Sequence, residues 1–75
     1  MNIEMVQVES SNIESVGMSG DDLIVKFKTG ATYSYKDVPI RVFIELTTAE
    51  SVGRYFNREV KGKYEYKYEK LDPKK

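Results

Sequence analysis

The sequence predicts an α+β domain: a three-stranded antiparallel β-meander packed against two short helices, with material for one extra C-terminal strand. Three observations carry this. Apolar and polar residues alternate across 13–18, 23–28 and 31–36, with turn residues between the runs. The period then changes to a helical one across 38–61. A second alternation, Tyr64-Glu65-Tyr66-Lys67-Tyr68-Glu69, follows Gly62.

The lead-in 1–12 is weakly patterned. Met5-Val6-Gln7-Val8 alternates for two steps and reads as an extended segment or edge strand. In Ile13–Met18, strict alternation puts Glu14, Val16 and Met18 on one face and Ile13, Ser15 and Gly17 on the other. Ser19-Gly20-Asp21-Asp22 is turn chemistry. Leu23-Ile24-Val25-Lys26-Phe27-Lys28 is the strongest strand, rich in β-branched and aromatic residues, and Ala31–Lys36 returns beside it. Val38-Pro39 opens the first helix, with Asp37 near the positive end of its dipole. Val38, Val42, Phe43 and Leu46 make its apolar stripe. Ile40 and Ile44 lie off that stripe and predict burial on a wide arc. Thr47-Thr48-Ala49-Glu50 has capping-box spacing for the second helix, with Ser51 a competing N-cap. Val52, Tyr55, Phe56 and Val60 recur at helical spacing, and Gly62 stops the helix. Gly53 reads as close packing against the sheet. One domain spans 1–75, ordered over about 10–68, with 72–75 frayed.

The hairpin loop decides which way Tyr33 and Tyr35 face. A two-residue Thr29-Gly30 loop would oppose Lys26 to Tyr33 and Ile24 to Tyr35, giving an aromatic platform beside lysines. That turn needs φ > 0 at both positions, and the β-branched Thr29 resists it. A three-residue Lys28-Thr29-Gly30 loop asks a left-handed conformation of Gly30 alone. Val25 then opposes Tyr33 and Leu23 opposes Tyr35. The tyrosines join the apolar face as chiefly structural residues, and Lys26, Thr32, Ser34 and Lys36 form a solvated face with Lys28 at its edge.

Composition argues against an enzyme. The 75 residues contain no Cys and no His, so the commonest general base, the thiolate nucleophile and the usual soft metal ligands are missing. No glycine pattern suits a nucleotide fingerprint, and Asp21-Asp22 are turn residues. Nothing predicts a catalytic residue, a metal, a cofactor or a small-molecule substrate. No apolar run is long enough to span a membrane, and no signal-peptide pattern follows Met1; the expected location is cytoplasmic.

The zero net charge conceals an asymmetry. Residues 1–25 carry five acids and no Lys or Arg, whereas 26–75 carry all twelve basic residues against seven acids. Arg54, Arg58 and Lys61 fall at i, i+4 and i+7 of the second helix, with Lys63 just beyond. This stripe, supplemented by Lys26, Lys28 and Lys36, is the candidate nucleic-acid surface; it reads equally as an ordinary solvated helix face.

Ser10-Ser11-Asn12-Ile13, Leu23–Phe27, Tyr33-Ser34-Tyr35, Asp37-Val38-Pro39, Ala49, Ser51, Gly53, Tyr55-Phe56-Asn57, Val60-Lys61-Gly62-Lys63-Tyr64 and Tyr66 together resemble the KTSC domain family, over roughly Ser10 to Tyr66. The family takes its name from the C-terminus of some lysyl-tRNA synthetases. The resemblance implies a small, often stand-alone bacterial or phage domain, with RNA binding suggested by the synthetase association. Met18 stands where the family expects an aromatic residue, and Ile40-Arg41 replaces a more acidic helix start. Two functions follow as expectations. One is RNA binding through the basic helix face. The alternative is a protein-interaction or assembly module that uses the Tyr64/Tyr66/Tyr68 strand to pair with a sheet edge of its own or another chain.

Overall fold

The computed structural model describes residues 4–69, with the side chains of Tyr68 and Glu69 excepted. The expected fraying of 72–75 falls outside these residues, as does the Tyr68 ring. The chain forms β1 (Met5–Gln7), β2 (Ile13–Ser19), β3 (Asp22–Phe27), β4 (Thr32–Tyr35), α1 (Ile40–Thr48), α2 (Val52–Glu59) and β5 (Tyr66–Glu69). The strands make one antiparallel sheet in the order β1-β2-β3-β4-β5. The α+β class holds, but the sheet has five strands, not three. The extended lead-in pairs along β2, and the tyrosine alternation pairs along β4. Each supplies backbone partners that a three-stranded meander would leave open at its edges.

The β3–β4 register is the one that Thr29 dictates. Leu23 faces Tyr35 and Val25 faces Tyr33. The Gly30 N–H donates to Phe27 O (2.9 Å), the Phe27 N–H donates to Ala31 O (2.8 Å), and Gly30 takes φ +99. The loop is therefore Lys28-Thr29-Gly30, with the left-handed residue where only glycine enters cheaply.

β2 does not alternate strictly. Its pairing slips between Ile13 and Ser15, so Glu14 is the extra residue of a bulge. Ile13 opposite Phe27 and Val16 opposite Val25 then share the covered face, where both are buried. This corrects the expectation that Ile13 and Val16 point apart. Burying both side chains favours the re-phased strand, and Glu14 is turned out towards Lys26 (Oε2 to Nζ, 3.9 Å).

Both helices cover one face of the sheet. The core joins Ile13, Val16, Leu23, Val25 and Tyr35 from strands to Val42 and Leu46 of α1, Val52 and Phe56 of α2, and the flanking Val38 and Val60. Ile40 and Ile44 are more than half exposed, at 57% and 53%, so α1 buries a narrow stripe and not a wide arc. Asp37 lies outside the helix at φ +57, and Pro39 is the N-cap, with no side-chain cap and no acid in the first turn. Thr47 and Thr48 end α1, where their hydroxyls donate back to Phe43, Ile44 and Glu45 carbonyls. Ser51 caps α2 instead, its hydroxyl accepting from the Arg54 N–H at 3.4 Å. The capping-box start is thus displaced: threonine hydroxyls bonded to their own preceding turn cannot cap a new helix. A Cβ at Gly53 would meet Ser10 Oγ at an ordinary 3.5 Å, so no close approach to the sheet demands glycine there.

The opposite sheet face is uncovered by helices, but it is less open than its composition predicts. Ser15, Thr32 and Ser34 are buried. Thr32 and Ser34 are short side chains on the inner strand β4, in register with Lys26 and Ile24 on one side and with β5 on the other. The Thr32 hydroxyl has no hydrogen-bond partner among the described residues. The expected solvated face of Lys26, Thr32, Ser34 and Lys36 therefore reduces to its two lysines.

Candidate functional site

Where the β3–β4 loop meets the C-terminal end of α2, the covered face of the sheet runs out into a groove of about 620 Å³. Its position follows from sequence. The five-residue stretch Phe27–Ala31 closes the hairpin and lines the groove together with Phe56, Asn57 and Lys61. α2 then closes with both the Val60 and Lys61 N–H groups donating to Phe56 O at 2.9 Å. The loop is moored further by the Lys28 N–H donating to Asn12 O at 2.8 Å, while Ser10 Oγ accepts from the Asn12 and Ile13 N–H groups.

Rings form the floor. Tyr35 meets Phe56 edge-on, and Phe27 meets both Phe56 (5.7 Å) and Tyr33 (5.6 Å) in the same way. The Tyr33 and Tyr35 rings are stacked 6.3 Å apart. Tyr66 of β5 leans over that pair, 5.3 Å from Tyr33 and 5.6 Å from Tyr35. The tyrosines are thus core residues and site residues together. Tyr35 is 4% exposed, Tyr33 is half-buried, and Tyr66 is 60% exposed. Burial, reinforced by Tyr33 and Tyr66, pushes the Tyr35 hydroxyl up to about 12, so it stays a neutral donor.

The rim is polar and cationic. Lys28 stands on the hairpin bank and Lys61 on the helix bank, with Asn12 and Asn57 beside them. Among the described residues, no Asp or Glu lines the groove. Neither lysine has a carboxylate partner among the described residues.

The structure divides the basic residues that the sequence groups together. Lys28 and Lys61 meet at the groove. Lys26 is on the opposite face, against Glu14. Lys36 is exposed just past the end of β4, and Arg54 is exposed on α2 one turn before Asn57. Arg58 donates through Nε to Glu59 Oε2 (3.0 Å) and lies over the Tyr55 ring, 5.7 Å from its centroid. Lys63 donates to Glu59 Oε1 (3.3 Å). These two hydrogen bonds hold the Glu59 carboxyl below its ordinary range, Arg58 first and Lys63 second. Glu59 therefore engages two of the four residues of the basic cluster with its single negative charge. Tyr55 donates to Glu45, tying α2 to α1; burial and then that hydrogen bond push its hydroxyl up to about 12.

Phe27, Phe56, Asn12 and Asn57 were not among the candidate site residues, whereas Tyr66 belonged to the alternating tyrosine segment that the sequence singles out. A signal existed for one of them: Asn57 is four residues before Lys61 and so on the same helical stripe. The others come together only through the fold. The Tyr64/Tyr66/Tyr68 segment finds its edge within the chain, with Tyr66 and Tyr68 in register with Tyr35 and Tyr33, while Tyr64 precedes the strand and packs against the core. Among the described residues no helix is long and apolar enough to cross a membrane, and no cluster of three carboxylates could hold a metal ion.

Comparison with known proteins gives one answer at three levels. The model of the KTSC domain matches residues 9–64. A small protein of Tsukamurella paurometabola is 45% identical over 62 residues, covering 80% of this chain and 92% of that one. An uncharacterised protein of Stutzerimonas stutzeri is 36% identical over 72 residues, covering 93% and 100%. A lysine–tRNA ligase of Trichormus variabilis is 43% identical over 44 residues, 59% of this chain but 8% of the ligase. A crystal structure of a KTSC domain protein from Yersinia pestis superposes with a TM-score of 0.84 at 33% identity, covering 91% of this chain and 99% of that one. The segments that build the groove, Ser11-Asn12, Tyr33-Ser34-Tyr35, Phe56-Asn57 and Lys61-Gly62, all fall inside the matched span, and with fold and sequence in agreement the chain belongs to the KTSC domain family.

Proposed function

We propose that this domain is a non-enzymatic module that binds single-stranded RNA at the aromatic groove. One observation carries the reading: partly exposed tyrosine rings lie in a groove with two lysines that have no carboxylate partner among the described residues, and no Asp or Glu among those residues lines it. Unpaired bases stack on such rings, and lysines on either side supply phosphate contacts; a duplex keeps its bases stacked on each other and offers no ring face. The volume lies within the ~300–1,000 Å³ typical of small-ligand clefts. A lysine–tRNA ligase among the relatives places a similar segment in a protein whose name includes an RNA. The site moves from the whole basic face of α2 to its C-terminal end, because Arg58 and Lys63 are already engaged by Glu59.

The test is a titration of isotope-labelled protein with single-stranded RNA at low salt. Amide shifts are expected at Lys28, Asn57, Lys61 and Tyr66, with weaker binding of the same sequence in a duplex. No shifts at these residues would reject the groove as a nucleic-acid site. The alternative, assembly through the tyrosine strand, has less support, since β5 already pairs with β4 of its own chain.

A further inference from the structure

Resting on the RNA-binding reading, we infer that the groove is the first of two adjoining base positions: the next base of the same strand enters a neighbouring hollow and stacks on Tyr64. That hollow has a volume of about 460 Å³ and is lined by Gly62, Lys63, Tyr64, Glu65 and Tyr66. Gly62 and Tyr66 also line the groove. The exposed Tyr66 ring is therefore a wall that the two spaces share, and Gly62 is the sill between them. Gly62 takes φ +87, a conformation that favours glycine, and a Cβ there would meet nothing within 4 Å. The passage from one space to the other is open.

The backbone holds the second position in place. The Lys63 and Tyr64 N–H groups both donate to Val60 O, at 3.1 and 3.3 Å, and fold the turn back onto the end of α2. Tyr64 is half-buried and packs against the core, which anchors its ring at the hollow. The Lys36 N–H donates to Glu65 O at 2.8 Å, next to the Tyr35–Tyr66 pair, and ties the opposite wall to the sheet. Charge tells the two positions apart. Lys28 and Lys61 line the groove, whereas the hollow contains Glu65, and its Lys63 is hydrogen-bonded to Glu59. The Glu65 carboxylate repels a phosphate but accepts from the amino edge of a base. The second nucleotide is therefore held by its base, and the linking phosphate lies at Gly62 beside Lys61.

The experiment compares three 5′-phosphorylated ligands by amide-shift titration: a ribonucleotide, a diribonucleotide, and the same dinucleotide made abasic at either residue. The intact dinucleotide is expected to bind roughly 5- to 150-fold tighter than the mononucleotide, the range of one added base–aromatic stack. It is also expected to add shifts at Gly62, Lys63 and Glu65. The abasic dinucleotide carries the same phosphates and is expected to bind like the mononucleotide. Tyr64 lines the hollow and not the groove. Tyr64→Leu is therefore expected to remove the gain and leave mononucleotide affinity unchanged, whereas Tyr64→Phe keeps the gain. The abasic ligand alters no residue, so it decides even where Tyr64→Leu does not fold. A dinucleotide that binds no tighter than the mononucleotide overturns the second position while leaving RNA binding intact. So does an abasic dinucleotide that keeps the gain, or a folded Tyr64→Leu variant that keeps it or weakens both ligands equally. Absence of binding by all three ligands and by a ten-residue single strand removes the RNA reading itself.

Discussion

Tyr35 stands edge-on to Phe56, ring centroids 5.4 Å apart and planes at 81°, and this contact joins the central sheet to α2 beneath the groove. Both residues are buried, and the same Phe56 ring takes the edge of Phe27. Phe56→Ala is expected to cost about 3–5 kcal/mol and Phe56→Leu about 1–2, from lost burial and edge-to-face geometry. A domain this small has little stability to spare, so Phe56→Leu is the variant to measure by urea unfolding. A Phe56→Ala protein as stable as the parent would show that this contact does not hold the layers together.

Alkaline stability follows from the raised tyrosines. Tyr35 and Tyr55 are each pushed to about 12 from the ordinary value near 10. Their neutral forms are favoured by folding, so above pH 10 the unfolded chain releases protons that the native state retains. The contribution of these two hydroxyls to stability is therefore constant below pH 10 and falls between pH 10 and 12. Denaturant midpoints across that window should decline less in Tyr35→Phe and in Tyr55→Phe than in the parent. Equal declines in all three would exclude these hydroxyls as the cause.

Two left-handed positions predict opposite signs. Gly30 at φ +99 loses about 1 kcal/mol on substitution with Ala, because a Cβ is disfavoured in that conformation. Asp37 at φ +57 already bears that cost, and Asp37→Gly is expected to gain about 0.5 kcal/mol. Thermal unfolding of the pair tests this, and a stabilised Gly30→Ala would contradict the three-residue loop.

Gly53 is in the first turn of α2 with open contact to Ser10. Gly53→Ala should raise stability by about 0.5–1 kcal/mol through helix propensity. A loss instead would mean that the Ser10 loop cannot accept a methyl group at 3.5 Å.

The basic residues should separate in binding as they do in space. Lys28→Gln and Lys61→Gln are each expected to make the salt slope for single-stranded RNA shallower by about 0.7, and Lys26→Gln to leave it unchanged. Anisotropy at several salt concentrations decides, and an equal effect of all three would return the site to a diffuse basic surface.

The hairpin register was legible because a single residue type, β-branched Thr29, is hard to place in one of two competing turns. The Glu14 bulge was not. Strict alternation reads through it, and only the joint burial of Ile13 and Val16 reveals the extra residue. β5 showed its strand pattern in sequence but not its partner, since pairing with β4 spans both helices. Charge misled in a related way. Arg58, Lys61 and Lys63 look alike in a sequence, and what separates them is the reach of one carboxylate, Glu59.

The closure of β4 by β5 also fixes an order of assembly. The contacts among β2, β3 and β4 form across short turns, whereas Tyr33 and Tyr35 meet Tyr66 only after both helices have been traversed. Loop-closure entropy makes that long-range step the late one. The groove therefore does not exist in any half-built sheet. Its occupancy is coupled to the complete native state, so a bound ligand should slow amide exchange in β3 as much as in β5.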